Sequence, residues 1–351
     1  MKAVRNAIYA VLLIAFAVGE APAAELGKFG DCSERSVDPG PLTFPRCGDE
    51  QTAACFFEHG LAASRGVRWC RQQTLVGADL AGLAWLLGNK VKAKRLADHV
   101  VNKVYAISNG QTRVMAMYQT AVRFGFYGMG TYAQDMVLRL PPLMEASALA
   151  ALAQRRSYQC DQRALEPLLA HIEAILRNNG STHKNRLWAH VSVTFPYFFM
   201  GRVDDAVRHA QAARSLFERL SPSVQESKRW ALVVALAGAG LVSEAEREVV
   251  RIDDPADKAE VHAYIADIFA FYNERKAALR AISSAELFSG QTDNKDVSLN
   301  GLGALHAARL RLGILPDLDR IDDPYVRTSI YVRLGRVLLD MQNNVGPGRC
   351  R

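Results

Sequence analysis

After residue 18 the chain has no apolar run approaching the ~20 residues that a membrane-spanning helix needs, so no transmembrane anchor is expected once a leader is removed. None of its 6 cysteines stands in a C-x-x-C pair, which argues against a zinc ribbon and a thioredoxin-like redox site. The 8 histidines are dispersed, with no H-E-x-x-H pair and no short His/Cys cluster, so neither a metal nor a cofactor is expected. There is no G-x-S-x-G elbow for a serine nucleophile. No dense basic run is present either, and nucleic acid is therefore not an expected partner. Long alternating runs of β-branched residues are missing too, and with them any demand for a sheet.

What is present begins with Lys2 and Arg5, followed by an apolar run from Ala7 to Val18 and small residues at Ala21 to Ala24. That is the layout of a secretory signal peptide, so residues 1–24 are expected to be cleaved and the product to be periplasmic or secreted. Lys2 and Arg5 carry two positive charges and Glu20 one negative, so cleavage takes the formal net charge from +7 to +6. This mild, dispersed surplus reads as a solvated basic face, with an anionic envelope polymer as the partner it would favour.

Residues 25–70 comprise a Gly-, Pro- and charge-rich segment, Glu25 to Gln51, with Asp38-Pro39-Gly40-Pro41 as a turn signal, and a first helix. Cys32, Cys47, Cys55 and Cys70 lie here at intervals of 14, 7 and 14 intervening residues. In an oxidising compartment an even, clustered set is expected to form disulfides, each worth ~2–4 kcal/mol, with three pairings open. Cys160 and Cys350 are left over, the latter in the flexible basic tail, 344–351.

From about Asp49 the apolar residues recur with helical period. The stretch Arg251-Ile252-Asp253-Asp254-Pro255 returns 69 residues later as Arg320-Ile321-Asp322-Asp323-Pro324. An Asp ahead of a helix accepts from its unpaired N–H groups, and a Pro just after needs no N–H, so the joint reads as a helix cap rather than an acid pair. A second regularity sets Gly five residues before Ala at Gly88/Ala93, Gly128/Ala133, Gly201/Ala206 and Gly240/Ala245, with weaker copies at Gln159/Ala164, Asn273/Ala278 and Gly313/Leu318. Gly permits the left-handed turn that ends one helix, and Ala lets the next approach closely.

These turns, with Leu334-Gly335 and Ile265-Ala266 as large-small pairs, resemble tetratricopeptide repeats over Val76 to Asn343. The resemblance implies an all-α fold, an α-solenoid of stacked antiparallel helix pairs across residues 71–343. It also implies that the first helix of each pair lines a concave face that binds peptides. Counting back three, six, ten and thirteen residues from each turn places Trp85, Tyr118, Trp188, Phe195, Phe198 and Trp230 on that stripe, by analogy with the family. Such rings either grip a partner or fill the seam between pairs.

Ser181-Thr-His-Lys184 has S-x-x-K spacing, but no Lys-Thr-Gly accompanies it, and Asn179-Gly-Ser181 is a glycosylation sequon. Gly301-Leu-Gly303 lacks the third Gly of a dinucleotide loop. The expected function is that of a non-enzymatic exported scaffold or adaptor that binds a protein segment or envelope polymer. The alternative is an envelope enzyme, or an enzyme accessory, whose helices shape a substrate cleft. Buried carboxylates or histidines set beside a second polar group, away from helix caps, would favour the alternative.

Overall fold

The structure, a computed structural model, describes residues 52–67, 70–178, 183–291, 299–314, 323–343 and 345. The expected signal peptide, Cys32, Cys47, Cys350, the sequon and Leu318 lie outside them. Among the described residues there are 15 α-helices and no strand. They are α1 (Ala53–Ser64), α2 (Cys70–Leu86), α3 (Lys90–Tyr105), α4 (Gly110–Phe126), α5 (Gly130–Val137), α6 (Pro142–Tyr158), α7 (Gln162–Asn178) and α8 (His183–Phe199). α9 (Val203–Glu218), α10 (Pro222–Gly238), α11 (Val242–Val250), α12 (Pro255–Phe271), α13 (Arg275–Ser289), α14 (Leu299–Arg311) and α15 (Pro324–Gln342) complete the series. No helix of the described residues is long and apolar enough to cross a membrane.

Six adjacent pairs, from α2/α3 to α12/α13, are joined by one kind of turn, which also closes α14. Its residue is left-handed each time: Gly88, Gly128, Cys160, Gly201, Gly240, Asn273 and Gly313, with φ between 55° and 81°. The N–H after it bonds the carbonyl five residues back, as in Asn89 to Ala84 at 2.9 Å and Glu274 to Phe269 at 2.8 Å, which satisfies the last carbonyls of the first helix. Ala93, Ala133, Ala206, Ala245 and Ala278 are all fully buried where the next helix turns back. The turn expected at Gln159 is one residue later, at Cys160, and Leu165 rather than Ala164 fills the buried place.

The repeated joints cap helices. Asp254 Oδ1 accepts from the N–H groups of Ala256 (2.8 Å) and Asp257 (3.3 Å), and Asp323 Oδ1 from Val326 (3.0 Å). Cys55 and Cys160 are disulfide-bonded rather than free, and no pairing falls wholly within the described side chains.

First helices are inner and second helices outer. Ala231 to Gly238 of α10 are buried without a break, whereas α7 buries only Leu165, Leu169, Ile172 and Leu176, one stripe at helical spacing. Neighbouring outer helices are tied by polar links about one repeat apart, such as Tyr105 to Asp135 at 2.6 Å, Arg208 to Glu173 at 2.9 Å and Arg280 to Glu246 at 3.1 Å.

The inner helices α2, α4, α6, α8, α10, α12 and α14 each pack on the next, and α15 then packs on both α14 and α2. α1 lies against α15, and Lys92 Nζ of α3 reaches Glu58 Oε1 of α1 at 3.0 Å. The first helix therefore occupies the outer place on α15 that the second member of a pair holds elsewhere. Contacts among the described residues run in a closed cycle that joins the first helices of the series to the last. Phe56, 1% exposed, packs into the cluster of Leu310, Val326, Ile330 and Leu334. The approach is tight: a Cβ on Gly335 would stand 2.8 Å from Leu83 Cδ2 and 3.3 Å from the Ala53 carbonyl oxygen.

Candidate functional site

Of the six aromatic residues placed on the binding stripe by the family analogy, Tyr118, Trp188 and Phe195 are buried, at 1%, 4% and 2% exposure. Trp85, Phe198 and Trp230 are half-buried. Trp188 and Trp230 meet at 4.9 Å, with Lys228 Nζ 5.9 Å from the Trp188 ring. Phe198 stacks on Tyr272 at 4.5 Å, and Phe195 reaches Gly238, where a Cβ would stand 2.8 Å from its ring. Trp85 lies under Lys90 Nζ, 3.4 Å from the ring centroid. Only the Trp188–Trp230 pair comes together as a contact within the six; Phe195 and Phe198 lie in the seam with the next pair.

A different register converges on the middle of the cycle. The residue two before the left-handed turn is Phe126 in α4, Tyr158 in α6, Phe199 in α8, Phe271 in α12 and Arg311 in α14. Tyr158 meets Phe126 at 6.2 Å, Phe199 at 4.7 Å and Phe271 at 5.5 Å, and Arg311 lies 4.6 Å over Phe271. The C-terminal ends of inner helices from across the cycle thus share one aromatic cluster.

Around it stand three carboxylates and five guanidiniums, nearly all out of water. Asp79 accepts from Arg123 Nε at 3.1 Å, Asp340 from Arg155 Nη1 at 3.3 Å, and Asp267 from Arg311 Nε at 3.0 Å and Arg333 Nη2 at 2.6 Å. Arg336 is the hub. Its guanidinium lies 4.3 Å over Phe126 and meets Asp340 only at 3.8 Å, beyond hydrogen-bond range. Its charge is also felt at Asp79 and Asp267. Burial pushes the Asp79 carboxyl up despite the opposing pull of Arg123. Burial acts on Asp267 in the same sense, but Arg333 and Arg311 prevail and hold it below its ordinary value. These carboxylates do stand beside second polar groups, as the alternative reading asks: arginines throughout and, at Asp79, also the Tyr127 hydroxyl, whose own ionisation burial pushes far up. The arrangement can hold charge.

A second polar cluster joins α7, α8 and α9. His209 is fully buried, with Nε2 2.8 Å from Glu173 Oε1 and Nδ1 2.9 Å from His190 Nδ1. Tyr197 OH donates to the same Glu173 oxygen at 3.0 Å. The hydrogen bond from His209 leads the causes that hold Glu173 far below the ordinary carboxylate range. Burial, aided by His209 and Arg186, pushes His190 down to about 3. Burial, aided by Lys258, takes His262 down to about 4, where it stacks on Phe288 at 5.6 Å. Both rings are neutral in the fold and would take up a proton on unfolding below pH 6.5. Their contribution is therefore complete above that pH and is lost as the pH falls toward 4. Chemical unfolding at pH 7.5 and pH 5 should differ by ~4 kcal/mol, about 2 from each ring, with His262→Phe roughly halving the difference. Equal stability at both pH values would show that these rings are not held neutral.

Among the described residues no group of three or more His, Cys, Asp or Glu side chains is placed to hold a metal ion. No family model matches the chain, and no curated protein and no solved structure matches it.

The charged centre was not found from the sequence because its members run from Asp79 to Arg336 and Asp340 with no local motif. A usable signal was a lone charge inside an apolar helical run, as in Ala121-Val-Arg123-Phe-Gly-Phe126 and Ala266-Asp267-Ile-Phe269.

Proposed function

We propose that the chain is an exported, non-enzymatic helical-repeat protein of tetratricopeptide-like, solenoid build that serves as a scaffold or adaptor. It holds a protein segment along the N-terminal half of α10, which the protein's own core leaves open. One observation carries this reading: in α10 every residue from Pro222 to Trp230 keeps some exposure, while Ala231 to Gly238 are buried. The Trp188–Trp230 pair and Lys228 stand at that boundary. An aromatic and cationic edge suits an extended segment with acidic residues, because rigid rings lose little entropy on contact and lysine supplies steering. Export rests on the Lys2 to Ala24 layout, which also places the Cys32 to Cys70 cluster in a compartment where its disulfides persist.

Affinity purification from the cell envelope followed by mass spectrometry tests the reading. The wild type should capture a defined protein partner. The double variant Lys228→Glu, Trp230→Ala should keep its helical circular dichroism and lose that partner. Capture of an anionic polymer instead would move the proposal to that ligand class, and capture unchanged in the variant would remove the face.

The alternative, an envelope enzyme or accessory, is favoured by the Glu173–His209–His190 chain, whose carboxylate–imidazole order can relay a proton. It requires a turnover that His190→Gln abolishes while partner capture persists.

A further inference from the structure

Charged side chains are almost never fully buried unless paired, because removing a charge from water is costly unless a counter-charge and hydrogen bonds replace the water. The centre of the helix cycle departs from this rule. Arg123, Arg155, Arg311, Arg333 and Arg336 face Asp79, Asp267 and Asp340, which leaves two positive charges in excess when all eight are ionised. Protonation of Asp79, which its burial favours, widens the excess. The shortfall is visible atom by atom. Arg123 Nη2, Arg155 Nε, Arg333 Nε and Arg336 Nε are buried with no hydrogen-bond partner. Their side chains keep only 2%, 11%, 12% and 7% exposure. These donors come from α4, α6 and α15, and α15 reaches the other two only through the closure of the cycle.

The geometry points to a binding site for a small oxyanion, phosphate-like or carboxylate, at Arg336, the guanidinium that has no hydrogen-bonded carboxylate of its own within this surplus of buried arginines. A planar guanidinium presents two parallel N–H donors to such a group, which is why arginine recurs where oxyanions are held. The aromatic wall of Phe126 and Tyr158 lowers the local dielectric and strengthens each contact. Arg155 and Arg333 are not sealed from water and mark the way in. This site is separate from the face proposed above, and its ligand is an ion rather than a chain segment.

Thermal unfolding of the purified full-length mature protein, followed with inorganic phosphate, sulfate and succinate against sodium chloride of equal ionic strength, tests the site. At least one oxyanion should raise the midpoint saturably, with chloride inert, and the phosphate and succinate arms tell the two source chemistries apart. Arg336→Met removes the hub charge but keeps an apolar stem over Phe126. It should weaken the oxyanion effect by ~10-fold or more while leaving the anion-free midpoint near that of the wild type. Should that variant not fold, Arg333→Gln, at the more open edge, should show the same loss of response. The site is refuted if no oxyanion acts beyond the chloride control, or if the effect survives in the folded variant, which would mark an adventitious ion only.

Discussion

Asp267→Ala should lower the stability of the protein by ~3–5 kcal/mol, because it strips the counter-ion from two largely buried guanidiniums. Asp267 is 6% exposed and accepts from Arg311 Nε at 3.0 Å and Arg333 Nη2 at 2.6 Å. With the carboxylate gone, both arginines would be left near Arg336 with no negative partner of their own. The contrast within the same protein is Arg139 with Asp135, a pair at 3.3 Å that is more than half exposed on both sides. Arg139→Ala should cost less than ~1 kcal/mol, since water and salt already screen that pair. Urea midpoints of the two variants, followed by circular dichroism, make the comparison. Equal, small losses for both would mean that the centre is solvated and that its charges are decorative.

Phe56→Ala should cost ~3–5 kcal/mol, although it lies in a 12-residue helix at one end of the series. A terminal helix that merely followed the chain would tolerate the change, because a 12-residue helix has little stability of its own and little to lose. Here the ring is 1% exposed, 6.0 Å from Tyr331, and packed among α14 and α15 side chains more than 250 positions later in the sequence. The loss should therefore appear in the unfolding of the C-terminal helices as well. Near-wild-type stability would show α1 to be an appendage.

Much of the fold was legible because local chemistry determines it. The left-handed turn demands Gly or Asn at most of its positions, and the residue five later must be small, so Gly88/Ala93, Gly128/Ala133, Gly201/Ala206 and Gly240/Ala245 could be read directly. The turn at Cys160 escaped by one residue because its left-handed place holds neither Gly nor Asn. Asp254 and Asp323 were legible as caps because the Asp-Pro pair carries its own mechanism.

The middle of the molecule was not legible. Family analogy counted the aromatic stripe from three residues before each turn, whereas the side chains that converge stand two before it, at Phe126, Tyr158, Phe199 and Phe271. A shift of one residue rotates a helical position by about 100°, enough to turn a ring from the middle to the neighbouring seam, as Phe198 and Phe199 illustrate. The meeting of α1 with α15 carried no sequence signal at all. It depends on the accumulated rotation of the whole series, a long-range property that no window of residues contains.

That closure brings Arg336 and Asp340 into the same space as Asp79, Arg123 and Arg155. Hydrogen exchange of the native protein, read peptide by peptide, tests it without altering a side chain. Amides from Phe56 to Ser64 should exchange as slowly as those of α15, because both helices open only when the cycle opens. Exchange of α1 at the rate of an unprotected chain, beside a protected α15, would contradict it.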